Sequence, residues 1–294
     1  MITSIFNKSK PINFIIVFFI TLLAFVIARL SLINEPFAMA FIVKQTTLLF
    51  VAYASILLLD FIVNKNSLTL KNNYEILLFS LFLLFITQST SNSNVLISNF
   101  FVLLGLRRIV SLHSQKDVKK KLFDAAFWIA IAALFYFWSI LFFALIMLSL
   151  VLYTDNNIRH WIVPFLGVFT VFIISVATSI VFYDSFFGMF DISPQTSYDF
   201  SNYNSLSYLI AITVLLSFGI WSSFFYLKNI KKKKKVFRVS FKLIIIAAII
   251  GFLIVLQVPE KNGSEFLFLF APLAIIITNY IEIIQEKWFK EVFL

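Results

Sequence analysis

Apolar and polar residues are segregated along this chain rather than interleaved. Apolar stretches recur at 12–32, 38–63, 76–88, 95–110, 122–153, 161–183, 206–227, 239–258 and 266–285, and nearly every Lys and Arg lies in the gaps. Stretches of about 20 apolar residues match the roughly 30 Å hydrocarbon core of a bilayer, where only helices or closed barrels satisfy their own backbone groups. The runs are continuous rather than alternating, which excludes a barrel. The pattern predicts an all-α, polytopic bundle of transmembrane helices.

The stretch 122–153 decides how many crossings the bundle has. A single crossing there puts the basic segment Lys228–Lys242 outside, against the positive-inside rule. Two crossings, turning near Phe135–Ser139, put every basic loop in the cytoplasm: Lys8 and Lys10, Lys65 and Lys71, Arg107–Lys121, Arg159, Lys228–Lys242, and Lys287 with Lys290. That grouping holds 21 of the 24 basic residues, leaving Lys261 outside and Arg29 and Lys44 inside spans. The expectation is therefore about ten crossings with both termini cytoplasmic. Two hairpins are short: 122–153, whose legs of about 15 residues reach roughly 22 Å, and 76–110, with its polar turn Ser89–Asn94.

Composition narrows the class. Apolar residues make up 61% of the chain and the mean hydropathy is +0.97, far above a soluble domain. We expect a single integral membrane domain over 1–294. The first apolar segment follows Lys8 and Lys10 and ends in Ala28-Arg29-Leu30-Ser31, with no small-x-small cleavage site, and reads as a retained helix. There is no Cys, which removes disulfides, thiolate metal sites and cysteine nucleophiles together.

The opening Met1-Ile2-Thr3-Ser4-Ile5-Phe6, then Lys8-Ser9-Lys10-Pro11-Ile12-Asn13, and Leu106-Arg107-Arg108 followed by Lys121-Leu122-Phe123-Asp124-Ala125-Ala126-Phe127-Trp128 give a resemblance. The whole chain is similar to an uncharacterised integral membrane family common in flavobacteria, with no established activity. Its members are sometimes labelled carotenoid-cleaving oxygenases, a label that implies an iron held by four His. This chain has two, His113 and His160.

Candidate chemistry centres on Arg29, Lys44 and Glu35. Arg29 sits near the outer end of the first span, Lys44 about two turns into the second, and Glu35 in the loop between. Intramembrane charge is costly and marks a functional site by default. Two cations beside a carboxylate suit a lipid phosphate or diphosphate, the acid serving as base or anchor. The plainer alternative is that both cations snorkel to the interface and pair with Glu35. The loop Tyr183–Ser205 combines Asp184, Asp191 and Asp199 with seven aromatics, a surface that stacks on sugars or simply sits at headgroup depth.

On the cytoplasmic side, Lys231, Lys232, Lys233, Lys234 and Lys235 are expected to contact anionic headgroups. Arg107–Phe123 is expected to lie along the membrane with Ile109, Leu112 and Val118 toward lipid. Asp124 reads as a helix-dipole partner, and Asp60 as an acid neutralised near Lys65. Six Gly without a small-xxx-small repeat predict bulky rather than close helix packing. No metal spacing, catalytic triad or phosphate-binding glycine loop occurs, so no cofactor or metal is expected. Nucleic acid is not an expected partner, because no recognition module adjoins the basic charge.

Three function classes remain open. The first is a protein of the bacterial inner membrane and cell envelope that handles a lipid-linked or amphiphilic anionic substrate at the outer leaflet through Arg29, Lys44 and Glu35. An acid just beyond the first span resembles its placement in membrane glycosyltransferases that use polyprenyl-phosphate sugars, though those enzymes have large outer loops with paired acids. The second is a non-catalytic subunit that docks on an envelope protein partner. The third, a secondary transporter, is disfavoured by the missing internal repeat and missing mid-membrane carboxylates. Whether any catalysis occurs stays open at this level.

Overall fold

Among the described residues, ten helices follow the apolar stretches, framed by a short helix near each end. The computed structural model describes residues 2–30, 39–153, 157–188 and 195–293. The helices are α1 (Ile2–Phe6), α2 (Pro11–Ala28), α3 (Met39–Asn66), α4 (Tyr74–Phe85), α5 (Ser93–Val110), α6 (Val118–Phe135), α7 (Phe142–Leu152), α8 (Ile158–Tyr183), α9 (Leu206–Ile230), α10 (Lys235–Gln257), α11 (Leu267–Ile283) and α12 (Lys287–Phe293). There is no strand among the described residues. Among the described residues, seven segments are long and apolar enough to cross a membrane: Pro11–Ala28, Met39–Asn66, Ser93–Ser114, Ile158–Tyr183, Leu206–Ile230, Lys235–Gln257 and Ser264–Ile283. By architecture and composition this is a membrane protein.

Local sequence explains where the helices begin and stop. Pro11 opens α2 after an extended Lys10, its fixed φ and missing N–H suiting the first helical position. Asn92 caps α5, its side chain accepting from the amides of Asn94 at 2.9 Å and Val95 at 3.2 Å. Asn157 caps α8 and Ser205 caps α9 in the same way. The 122–153 stretch does divide, at Tyr136 (φ −150°, ψ 105°). A turn of 3-10 helix, Phe137–Leu141, then leads into α7. The turn needs no Gly or Pro because Tyr136 occupies the extended region open to any residue.

α11 is the central helix: 89% of its apolar window is buried, against 22% for both α8 and α9. It packs on α4, α9 and α10, while α6 lies between α5 and α8. Three 3-10 segments, Thr87–Thr90, Phe137–Leu141 and Ser264–Phe266, gather at one end of the bundle around α2, α5, α10 and α11. The opposite end brings α1 and α12 together. There the backbone N–H of Asn73 donates to Phe6 O at 3.0 Å and the Tyr74 hydroxyl to Thr3 O at 2.9 Å.

Two packing expectations are overturned. Helices do approach closely at glycines: a Cβ on Gly167 of α8 would lie 2.8 Å from the Phe123 carbonyl of α6, and one on Gly251 of α10 2.8 Å from the Phe268 carbonyl. Gly251 stands one turn after the buried Ala247, a single small-xxx-small step that carries no wider repeat, and Gly167 meets the α6 backbone without such a step. Ile109 and Leu112 are also buried in the core rather than turned to lipid. The chain continues α5 through Arg107 and Arg108 to Val110, and Arg108 then bridges to Asp124 of α6 at 2.9 Å. α6 begins at Val118, so Asp124 lies beyond its first turn and acts as an interhelix partner rather than as the expected dipole acid.

Candidate ligand-binding site

At the end holding the 3-10 segments, four connections line a polar cavity of about 380 Å³. The start of α5 contributes its cap Asn92 and Asn94, the α6–α7 apex contributes Tyr136, Phe137 and Trp138, and the α10–α11 loop contributes Glu260, Asn262 and Ser264. Gln195, from the loop between α8 and α9, completes the wall. Phe137 and Trp138 meet edge to face with centroids 5.8 Å apart, and Tyr136 stacks on Phe268 of α11 at 5.7 Å. Burial, with Glu265 and Glu260 nearby, raises the Tyr136 phenol, which stays a neutral hydroxyl. Asn92 holds its helix cap and Asn262 its own turn: the Asn262 side chain accepts from Ser264 N at 3.0 Å, and its carbonyl accepts from the Tyr208 hydroxyl at 3.0 Å.

The walls therefore offer amide and hydroxyl groups, half-buried aromatic faces and one carboxylate, with no cation among the lining residues. Lys261 is adjacent in sequence but turned away. Its side chain is buried, and its ammonium donates to the carbonyls of Ser197 (2.9 Å), Leu256 (3.0 Å) and Val258 (2.8 Å), with Val255 at 3.4 Å. It also stands 4.6 Å from the Phe200 ring centroid. One cation thus terminates α10 by satisfying its last carbonyls and ties the 195–200 segment over them. Beyond it, Tyr203 is buried against Phe200, Tyr208 and Phe266, so this part of the aromatic loop is anchored.

Of the residues that sequence reasoning put forward, Arg29 is buried at this same end. Its Nη1 donates to the Thr90 hydroxyl at 3.2 Å, its guanidinium lies 3.9 Å from the Phe25 ring centroid, and Nη2 has no hydrogen-bond partner. Lys44 is exposed on α3, and among the described residues no hydrogen bond or ion pair joins it to Arg29. Glu35 lies outside the described residues. No group of three His, Cys, Asp or Glu suited to a metal occurs among the described residues.

Sequence reasoning did not assemble this cavity, because its walls come from four connections that hydropathy treats only as gaps. It also missed a polar network at the opposite end. There Asp60 accepts from Asn64 at 2.9 Å and Asn73 at 3.1 Å, rather than pairing with Lys65, whose ammonium lies 5.2 Å from the Phe61 ring centroid. Glu282 of α11 accepts from Leu70 N and Asn72, both at 2.7 Å, and Asn279 donates to Leu68 O, pinning the α3–α4 loop.

No curated protein and no solved structure matches the chain. One family model does, described as a family of unknown function (DUF6427), over residues 1–294, and the protein belongs to that family.

Proposed function

We propose that this is a single-domain protein of the bacterial inner membrane that binds an amphiphilic envelope substrate by its polar head at the outer face. Ten crossings with both ends cytoplasmic fit the division at Tyr136, the contact of α1 with α12, and the gathering of Arg107, Arg108 and the Lys231–Lys235 run at that same end. Lys231, Lys232, Lys234 and Lys235 are exposed there, as an anionic-headgroup contact requires. The observation that carries the reading is the polar, aromatic-walled cavity at the other end. Aromatic faces and amides suit a hydroxyl-bearing head such as a sugar. Arg29, at the same end with its Nη2 unpaired, supplies the attraction for an anionic linkage to the lipid. Lys44 and Glu35 extend the same proposed site from the neighbouring span and loop.

A second reading, an envelope-complex subunit without catalysis, draws on α8. Ile162, Phe165, Phe169 and Ile173 are all more than half exposed along that peripheral helix. Native mass spectrometry of the protein gently extracted from its own membrane separates the two. A co-purifying glycolipid or polyprenyl-linked sugar, lost in Trp138→Ala, supports substrate binding. A stoichiometric protein partner with no such lipid replaces it with the subunit reading.

A further inference from the structure

The network where α2, α3 and α4 meet has an excess of acceptors. Glu75, the second residue of α4, is fully buried, and neither carboxyl oxygen receives a hydrogen bond from any donor group. Its carboxyl lies within hydrogen-bonding reach of the Asp60 carboxyl. Asn64 and Asn73 both spend amide protons on Asp60 Oδ1, and Asn13 donates to Asn73 at 3.1 Å and to Lys8 O at 2.9 Å. That use of donors leaves the buried Asn13 Oδ1 without a partner too. Two carboxyl groups hydrogen-bond to each other only when one bears a proton, and two buried carboxylates side by side without a cation repel and lose their hydration.

The surrounding charges do not supply that cation. Lys8 and Lys10, at the entry to α2, are exposed; Lys65 of α3 stands over Phe61; and Glu282 of α11 is itself an acid near Glu75. Among the described residues none of these lysines forms an ion pair with Asp60 or Glu75. We infer that Asp60 and Glu75 form a proton-binding site, with one proton held between the two carboxyl groups. Asp60 is half-buried and Glu75 fully buried, so exchange with water runs through Asp60. The site stands independently of the cavity at the other end. Protonation keeps α2, α3 and α4 joined through Asn13, Asn73 and Asp60, and its loss places a second negative charge in the junction.

The test uses the full chain in liposomes at neutral pH. Infrared difference spectra of the wild type against Glu75→Gln read the carbonyl stretch of a protonated carboxyl group. Glu75→Gln imitates the protonated acid in shape and supplies an amide donor to Asp60, so the fold is kept. Dicyclohexylcarbodiimide, which reacts with protonated carboxyls from the lipid phase, is then followed by peptide mass spectrometry with and without sodium chloride. The site predicts a protonated-carboxyl band present in wild type and absent in Glu75→Gln, with labelling of Glu75 or Asp60 that falls as pH rises and is indifferent to sodium. Absence of the band overturns it. Protection by sodium at constant pH also overturns it, because the occupant is then a metal cation.

Discussion

Lys261 shows how one side chain can be structural where charge alone suggests a ligand site. Its ammonium serves carbonyls at the end of α10 and the 195–200 segment together. Lys261→Met keeps much of the stem's packing but removes those bonds, so we expect a loss of about 2 kcal/mol, read as a lower thermal midpoint in detergent. Early proteolysis between α8 and α9 should accompany it. Arg29 and Lys44 should separate in the same assay. Arg29→Ala removes a buried group with a hydroxyl partner and an aromatic contact, and should weaken both substrate retention and stability. Lys44→Ala, at an exposed position, should leave stability within about 0.5 kcal/mol of wild type. Equal effects from the two would remove the distinction between a buried site residue and a snorkelling one.

At the scale of elements, the helices themselves were legible and their contacts were not. Nine apolar runs marked the helices, and the charge ledger alone required the break of one of them that appears at Tyr136. Glu75 escaped notice because hydropathy began its span one residue later. Nothing local says that the α3–α4 loop turns its polar side chains inward under Glu282 and Asn279, more than 200 residues away. The cavity escaped for a related reason, since turns distant in sequence are brought together only by helix packing. Gly167 is the position where that packing is tightest for α8. Gly167→Leu forces α8 away from the Phe123 carbonyl and should cost about 1–3 kcal/mol. The readout is faster exchange of α8 amides in hydrogen-exchange mass spectrometry, with α10 and α11 unchanged.

Over the whole molecule, one end gathers the basic segments and both terminal helices, and the other gathers a polar cavity walled by connections. This polarity is the basis of the functional reading, since a cavity opening to the cytoplasm cannot receive a substrate from the outer leaflet. The natural chain has no Cys, so single cysteines report their surroundings directly. The most direct measurement labels Asn94→Cys at the cavity, Ser114→Cys before α6 and Asn157→Cys after α7, all three at exposed positions, with an impermeant maleimide in right-side-out spheroplasts. An outward cavity and a double crossing between residues 114 and 157 predict immediate labelling of Asn94→Cys, and labelling of the other two only after the membrane is opened. Asn94→Cys silent until permeabilisation would contradict the outward cavity, and Ser114→Cys and Asn157→Cys on opposite sides would contradict the double crossing between them.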